Sequence, residues 1–118
     1  MIPPRVRIHV CTIPQDMRRS FDGLARAVRE ELDGDPEGGS VFVFINKRAN
    51  RIKAIWFDRN GYCILYKRLH RSLFLPPAST ERSRPVATID GARLAKLFAG
   101  VAKPPRLTVK WHESYKRA

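Results

Sequence analysis

The sequence predicts an α+β fold: an antiparallel β-meander over about residues 41–68, with an N-terminal strand, packed by two helices at about 16–32 and 90–99. Three observations predict it. Apolar residues alternate strictly in "RVRIHVC" (5–11), recur at spacings of three and four from Met17 to Leu32, and form three short runs after residue 41 with turn residues between them. At 118 residues the chain has the length of one domain with a real core. Residues 1–100 are read as that single α+β domain, and 101–118 as a basic tail or an extra edge strand.

In the first strand Val6, Ile8 and Val10 point one way and Arg5, Arg7, His9 and Cys11 the other, the pattern of a half-buried strand. The helix after it takes Asp16 as N-cap and turns Met17, Phe21, Leu24, Val28 and Leu32 toward the core. Arg18 and Arg19 then fall in its first turn, where the helix dipole disfavours a cation by roughly 0.3–1 kcal/mol. Arg18 can pair with Asp22 four residues on; Arg19 is left as a candidate for an external anion. Gly23 interrupts the helix and implies a close approach, expected to be that of the sheet, and "DGDPEGGS" (33–40) ends it.

The meander reads "VFVFIN", "RIKAIWFD" and "YCILYKRL", separated by "KRAN" and "RNG", with Asn60-Gly61 a strong hairpin signal. The first run is apolar on both faces and belongs at the centre of the sheet; the other two place Lys53 and Lys67 on a wetter side. Residues 76–85 are a loop by composition. "VATIDGARLAKLFAGV" is a short strand and a helix, capped by Asp90, buried through Leu94, Leu97 and Phe98, and stopped by Gly100. The segment after it is basic and interleaves Trp111 and Tyr115 with charges, with a possible edge strand at 107–111.

Net charge is +12, from 23 Lys and Arg against 11 Asp and Glu. Such a balance points to a polyanionic partner, nucleic acid first and an anionic membrane surface second. By segment the net is +2 for residues 1–15, −3 for 16–40, +7 for 41–75 and +6 for 76–118. Within the meander Lys47, Arg48, Arg51 and Lys53 gather at one hairpin end, and Lys67, Arg68 and Arg71 follow its last strand; these, with Arg18 and Arg19, are the candidate nucleic-acid contacts. If about four to six phosphates are neutralised, log K should fall against log salt with a slope of about −4 to −5.

The longest apolar run, "VFVFI", is far short of the roughly 20 residues that span a bilayer. The first residues carry no secretory-type apolar region, so a cytoplasmic location is expected. Cys11 and Cys63 read as reduced packing residues.

His9, His70 and His112 are scattered and have no metal-ligand spacing with the cysteines, so no metal site is expected. No phosphate-cradling glycine loop occurs, and no cofactor is expected. Seven of the eleven acids lie between 16 and 37, where they read as solvated charge, and Asp58, Glu81, Asp90 and Glu113 stand alone. Metal-dependent chemistry on DNA needs converging carboxylates; the chain is therefore read as not an enzyme, without catalytic residues. A small nuclease, tested through Asp58, is the remote alternative.

"DMRRSFDGLA" followed by "VFVFINKRANRIKAIWFDRNGYCILYKRL" resembles the small TnpB-type accessory proteins of the sixty-six family of bacterial insertion sequences, over roughly residues 3–100. The family pattern continues after Lys-Arg-Leu with Glu-Arg-Gly-x-Phe-x-Trp-Pro, whereas this chain has His70, Arg71, Ser72, Leu73, Phe74, Leu75 and Pro76 there. The resemblance implies participation in transposition beside a separate transposase; the matched cations are Arg18, Lys53, Lys67 and Arg68. The expectation is a non-catalytic accessory factor that binds nucleic acid, DNA rather than RNA, through a basic surface. The alternative is an adaptor that docks on the transposase through the acidic 30–37 segment or the Trp111–Tyr115 region without specific DNA recognition.

Overall fold

The computed structural model describes residues 6–102 and Trp111. The elements run β1 (Ile8–Cys11), α1 (Phe21–Glu31), β2 (Val41–Ile45), β3 (Arg51–Asp58), β4 (Gly61–Arg68), β5 (Ser72–Leu73), β6 (Val86–Ile89), α2 (Gly91–Ala99) and β7 (Val101–Ala102). Five strands form one sheet in the order β4-β3-β2-β1-β6, and β5 pairs with β7 in a small second sheet. The meander is present as expected, antiparallel from β2 through β4. β1 joins it parallel to β2, the crossover being α1, and β6 closes the other side antiparallel to β1.

The central position of β2 follows from its sequence. All five of its residues are buried, because both faces of the sheet are covered. On one face Phe42, Phe44, Ile55, Cys11 and Val86 pack with Leu24, Ala27 and Val28 of α1 and with its C-cap Leu32. On the other Val10, Val43, Ile45, Ile52, Ala54 and Trp56 pack with Leu94 and Leu97 of α2 and with Phe74. The result is three layers, a sheet between two helices. Trp111 packs against the α2-side cluster; the possible strand at 107–111 and Tyr115 otherwise lie outside the described residues.

α1 begins at Phe21 with Ser20 as its N-cap, not at Asp16. The reason is long-range. The Gln15 amide donates to the Ile45 carbonyl at 2.9 Å and the Arg19 amide to the Asp16 carbonyl at 3.1 Å, so residues 15–19 are folded as a turn across the sheet end before the helix can start. Arg18 and Arg19 therefore lie outside the helix. Asp22 occupies its first turn and Arg29 its last, the arrangement the dipole favours. Gly23 faces the stem of Arg19 rather than the sheet: an added Cβ there would sit 3.1 Å from Arg19 Cβ.

The β3–β4 turn is carried by Arg59 and Asn60, with the positive φ (56°) at Arg59 and Asp58 paired with Gly61. α2 is capped as its sequence indicates: the Asp90 carboxylate accepts from the Arg93 amide at 2.8 Å, and Gly100 ends the helix at φ 70°. A Cβ at Gly100 would lie 2.6 Å from Leu69 Cδ1 and 3.0 Å from the Leu73 carbonyl oxygen, so glycine is what lets β7 turn back onto β5. No helix among the described residues is long and apolar enough to cross a membrane.

Candidate nucleic-acid interface

The β2–β3 hairpin is a rigid platform. Asn46 Oδ1 accepts from the amides of Asn50 and Arg51 at 3.0 and 2.8 Å, and its Nδ2 donates to Asn50 Oδ1 at 2.7 Å. Ala49 is fully buried at φ 57°, and its carbonyl accepts from the Phe74 amide at 2.7 Å. With the turn's interior so fixed, Lys47 and Arg48 are presented at the surface and Arg51 opens β3.

Residues 15–18 form a second wall facing this hairpin. Between the two runs a groove of about 680 Å³, lined by Gln15, Asp16, Met17 and Arg18 on one side and by Asn46, Lys47, Arg48, Asn50 and Arg51 on the other. Folding thus brings Arg18 together with three cations some thirty positions away. The Asp16 carboxylate accepts from the Arg18 amide at 2.9 Å and from its Nη2 at 2.7 Å. That contact holds the Asp16 carboxyl down at about 2 and raises Arg18, so both stay charged. Arg18 pairs with Asp16, not with Asp22 as its spacing suggested. Its side chain nevertheless remains 92% exposed.

Lys53 is not on a wet face. Its ammonium lies under the 15–19 turn, where it donates to the carbonyls of Met17 and Arg19 at 2.7 and 2.8 Å and stands 4.7 Å from the centre of the Tyr66 ring. The residue is 7% exposed. Alternation put Lys53 on the side away from Ile52 and Ala54, which is correct; the turn that covers that side comes from a distant part of the chain. Lys53 holds the groove wall in place from beneath.

The other candidates are dispersed. Arg19 donates from Nη1 to Gln15 Oε1 at 3.2 Å, and Gln15 in turn contacts Glu31. Arg68 stands directly across from Arg51 in the β3–β4 register, on the same sheet face, so it extends the cationic margin of the groove. Lys67 points to the opposite face and donates to the Phe98 carbonyl at 2.7 Å, near the end of α2. Arg71 is exposed at φ 67° in the segment leading to β5 and does not line the groove. Among the described residues, ion pairs join Arg18 to Asp16, Arg29 to Glu37 and Arg84 to Glu81; Arg48, Arg51, Arg68 and Arg71 meet no carboxylate there.

Sequence reasoning missed Tyr66, whose hydroxyl accepts from Arg51 Nη1 at 3.1 Å. Its register position opposite Lys53 was the available signal. His9 and Cys11 share the α1 face as expected. His9 donates to or accepts from Thr88 Oγ1 at 3.0 Å and stacks on Phe42, and burial lowers its pKa. Burial pushes the Cys11 thiol up to about 12. Among the described residues no cluster of three or more His, Cys, Asp or Glu side chains is placed to hold a metal ion.

Residues 6–105 match the family model described as IS66 Orf2 like protein, TnpB type. The chain is similar to the protein named uncharacterized protein y4hO of Sinorhizobium fredii, 35% identical over 96 residues, which cover 81% of each chain. It is also similar to uncharacterized protein y4jC of the same organism, 39% identical over 72 residues, covering 61% of this chain and 62% of that one. No solved structure matches.

Proposed function

Since the chain belongs to the IS66 Orf2-like family, whose members have an accessory role in transposition, we propose that it is a non-catalytic factor that binds element DNA and helps a separate transposase engage it. The groove between the 15–18 turn and the 46–51 hairpin is the binding surface. Arg18, Lys47, Arg48 and Arg51 contact phosphates there, and Arg68 extends the contact along β4. The supporting observation is that four cations from two distant segments line one concavity whose own carboxylate, Asp16, is a single charge. Arg51 and Arg68, opposed across two strands, repel one another by a few tenths of a kcal/mol or more, and an external anion relieves that repulsion.

The test is binding of labelled DNA by the full chain across a salt series. Five phosphate contacts give a slope of log K on log salt of about −3.5 to −4.5. Changing Arg48 and Arg51 together to Ala should weaken binding to all sequences alike and flatten the slope by about 1.5 to 2. Unchanged retention on DNA would remove the proposal. The adaptor reading has one observation in its favour, the exposed acids Glu30, Asp33, Asp35 and Glu37 at the far end of α1. Co-purification with the transposase that survives nuclease and high salt, together with no affinity for DNA, would favour it instead.

A further inference from the structure

We infer that the groove accepts single-stranded rather than duplex nucleic acid, with the rings of Tyr66 and Phe21 as stacking surfaces for unpaired bases. The inference rests on the reading of the groove as a nucleic-acid site and names the form of the ligand. Phe21, whose spacing assigned it to the core but which opens α1 beyond the edge of the packed face, and Tyr66 are the large aromatic side chains most open to solvent among the described residues, each 46% exposed. Tyr66 stands at the margin of the cationic groove, beside Arg51, and Phe21 follows the 15–19 turn that walls it. The Tyr66 hydroxyl is held by Arg51, a groove residue, and its ring lies against the Lys53 ammonium. Phe21 opens α1 two residues after Arg19, whose carbonyl binds that same ammonium. An exposed ring, held by fixed cations at Tyr66 and carried on the first turn of α1 at Phe21, is a surface on which any base can stack, because every base presents a π-face, while the neighbouring cations follow the backbone.

Duplex recognition asks for different parts. Reading the major groove takes a protruding helix or two-stranded ribbon. The β2–β3 turn is instead tied down, with its Ala49 and Asn50 carbonyls accepting from the amides of Phe74 and Leu69. The exposed side of α1 mixes Asp22 and Glu30 with Arg26 and Arg29, and α2 lies on the opposite face of the sheet. A concave site flanked by open rings suits a strand whose bases are free to splay.

The experiment is fluorescence anisotropy with the full chain, one labelled oligonucleotide as a single strand and the same sequence as a duplex, at matched salt. The single strand should bind more tightly. Tyr66→Ala and Phe21→Ala should each weaken single-strand binding by roughly five- to a hundredfold and weaken duplex binding by much less. Tyr66→Phe should retain single-strand affinity, and Tyr66→Leu, which keeps apolar bulk over Lys53 without a flat ring, should lose it as alanine does. Duplex binding as tight as single-strand binding, or a single-strand affinity indifferent to both alanines and to Tyr66→Leu, overturns the inference and leaves DNA binding standing. A chain that binds neither form overturns the proposed function itself.

Discussion

Replacing Lys53 with methionine separates a structural lysine from a phosphate-binding one. The variant keeps the apolar stem and deletes the ammonium, and with it two charge-assisted hydrogen bonds to the Met17 and Arg19 carbonyls. Bonds to a charged donor contribute about 1.5–3 kcal/mol each. The burial of the ammonium offsets part of this, because its desolvation cost disappears with it. A net loss of about 2–4 kcal/mol is expected. An unfolding entropy of about 2.1 cal/mol/K per residue makes 1 kcal/mol worth about 4 °C in a chain of this length, so the melting temperature should fall by about 8–16 °C. Thermal unfolding followed by circular dichroism reads that shift. Anisotropy at a temperature where the variant is folded should show DNA affinity within a few-fold of the parent and an unchanged salt slope. A melting temperature that hardly moves, with affinity down tenfold and a flatter slope, would mean that Lys53 reaches phosphate and that the groove wall is held by something else.

Three further outcomes follow from the packing. The Cys11 thiol should resist thiol-reactive dyes in the native chain at mild alkaline pH and react on unfolding. Its folded pKa of about 12 lies above the ordinary 9.0, so its contribution to stability is complete below pH 9.0 and is lost as pH rises from there toward about 12; Cys11→Ala should flatten a denaturation series over that window. Gly100→Ala should destabilise by more than about 1 kcal/mol, through its positive φ and the clash with Leu69 and the Leu73 carbonyl, seen as a lower urea midpoint. Thr12→Val should be neutral or stabilise by up to about 1–2 kcal/mol, because the buried Thr12 hydroxyl has no hydrogen-bond partner among the described residues; a clear drop in melting temperature would show that the hydroxyl is satisfied.

Much of the scaffold was legible because its signals are local. Turn residues between three apolar runs define the meander, two-faced apolarity places β2 at the centre, and Asp90 and Gly100 bracket α2 through contacts within a few residues. Two-residue strands such as β5 and β7 carry no period, and they exist only because Gly100 turns the chain back toward Leu73. The start of α1 was misplaced for a related reason. An aspartate followed by a helical stripe fits both a cap and a turn, and what decides between them is the Gln15 amide reaching Ile45, thirty residues along the chain.

The candidate site divides along the same line. That the hairpin end is cationic is plain from Lys47, Arg48 and Arg51, but which cations remain available to a ligand depends on what the fold does with each. Lys53 and Lys67 both turn their ammonium groups onto backbone carbonyls, whereas Arg48, Arg51 and Arg68 meet no carboxylate among the described residues. Stability alone would place an acid opposite Arg51; the chain places Arg68 there and leaves its surplus acids around residues 30–37. Like charges opposed on an exposed sheet face are a small standing cost, and a ligand that supplies the missing negative charge gains by removing it. The cations that most resist explanation as structure are therefore the ones on which the proposed binding rests.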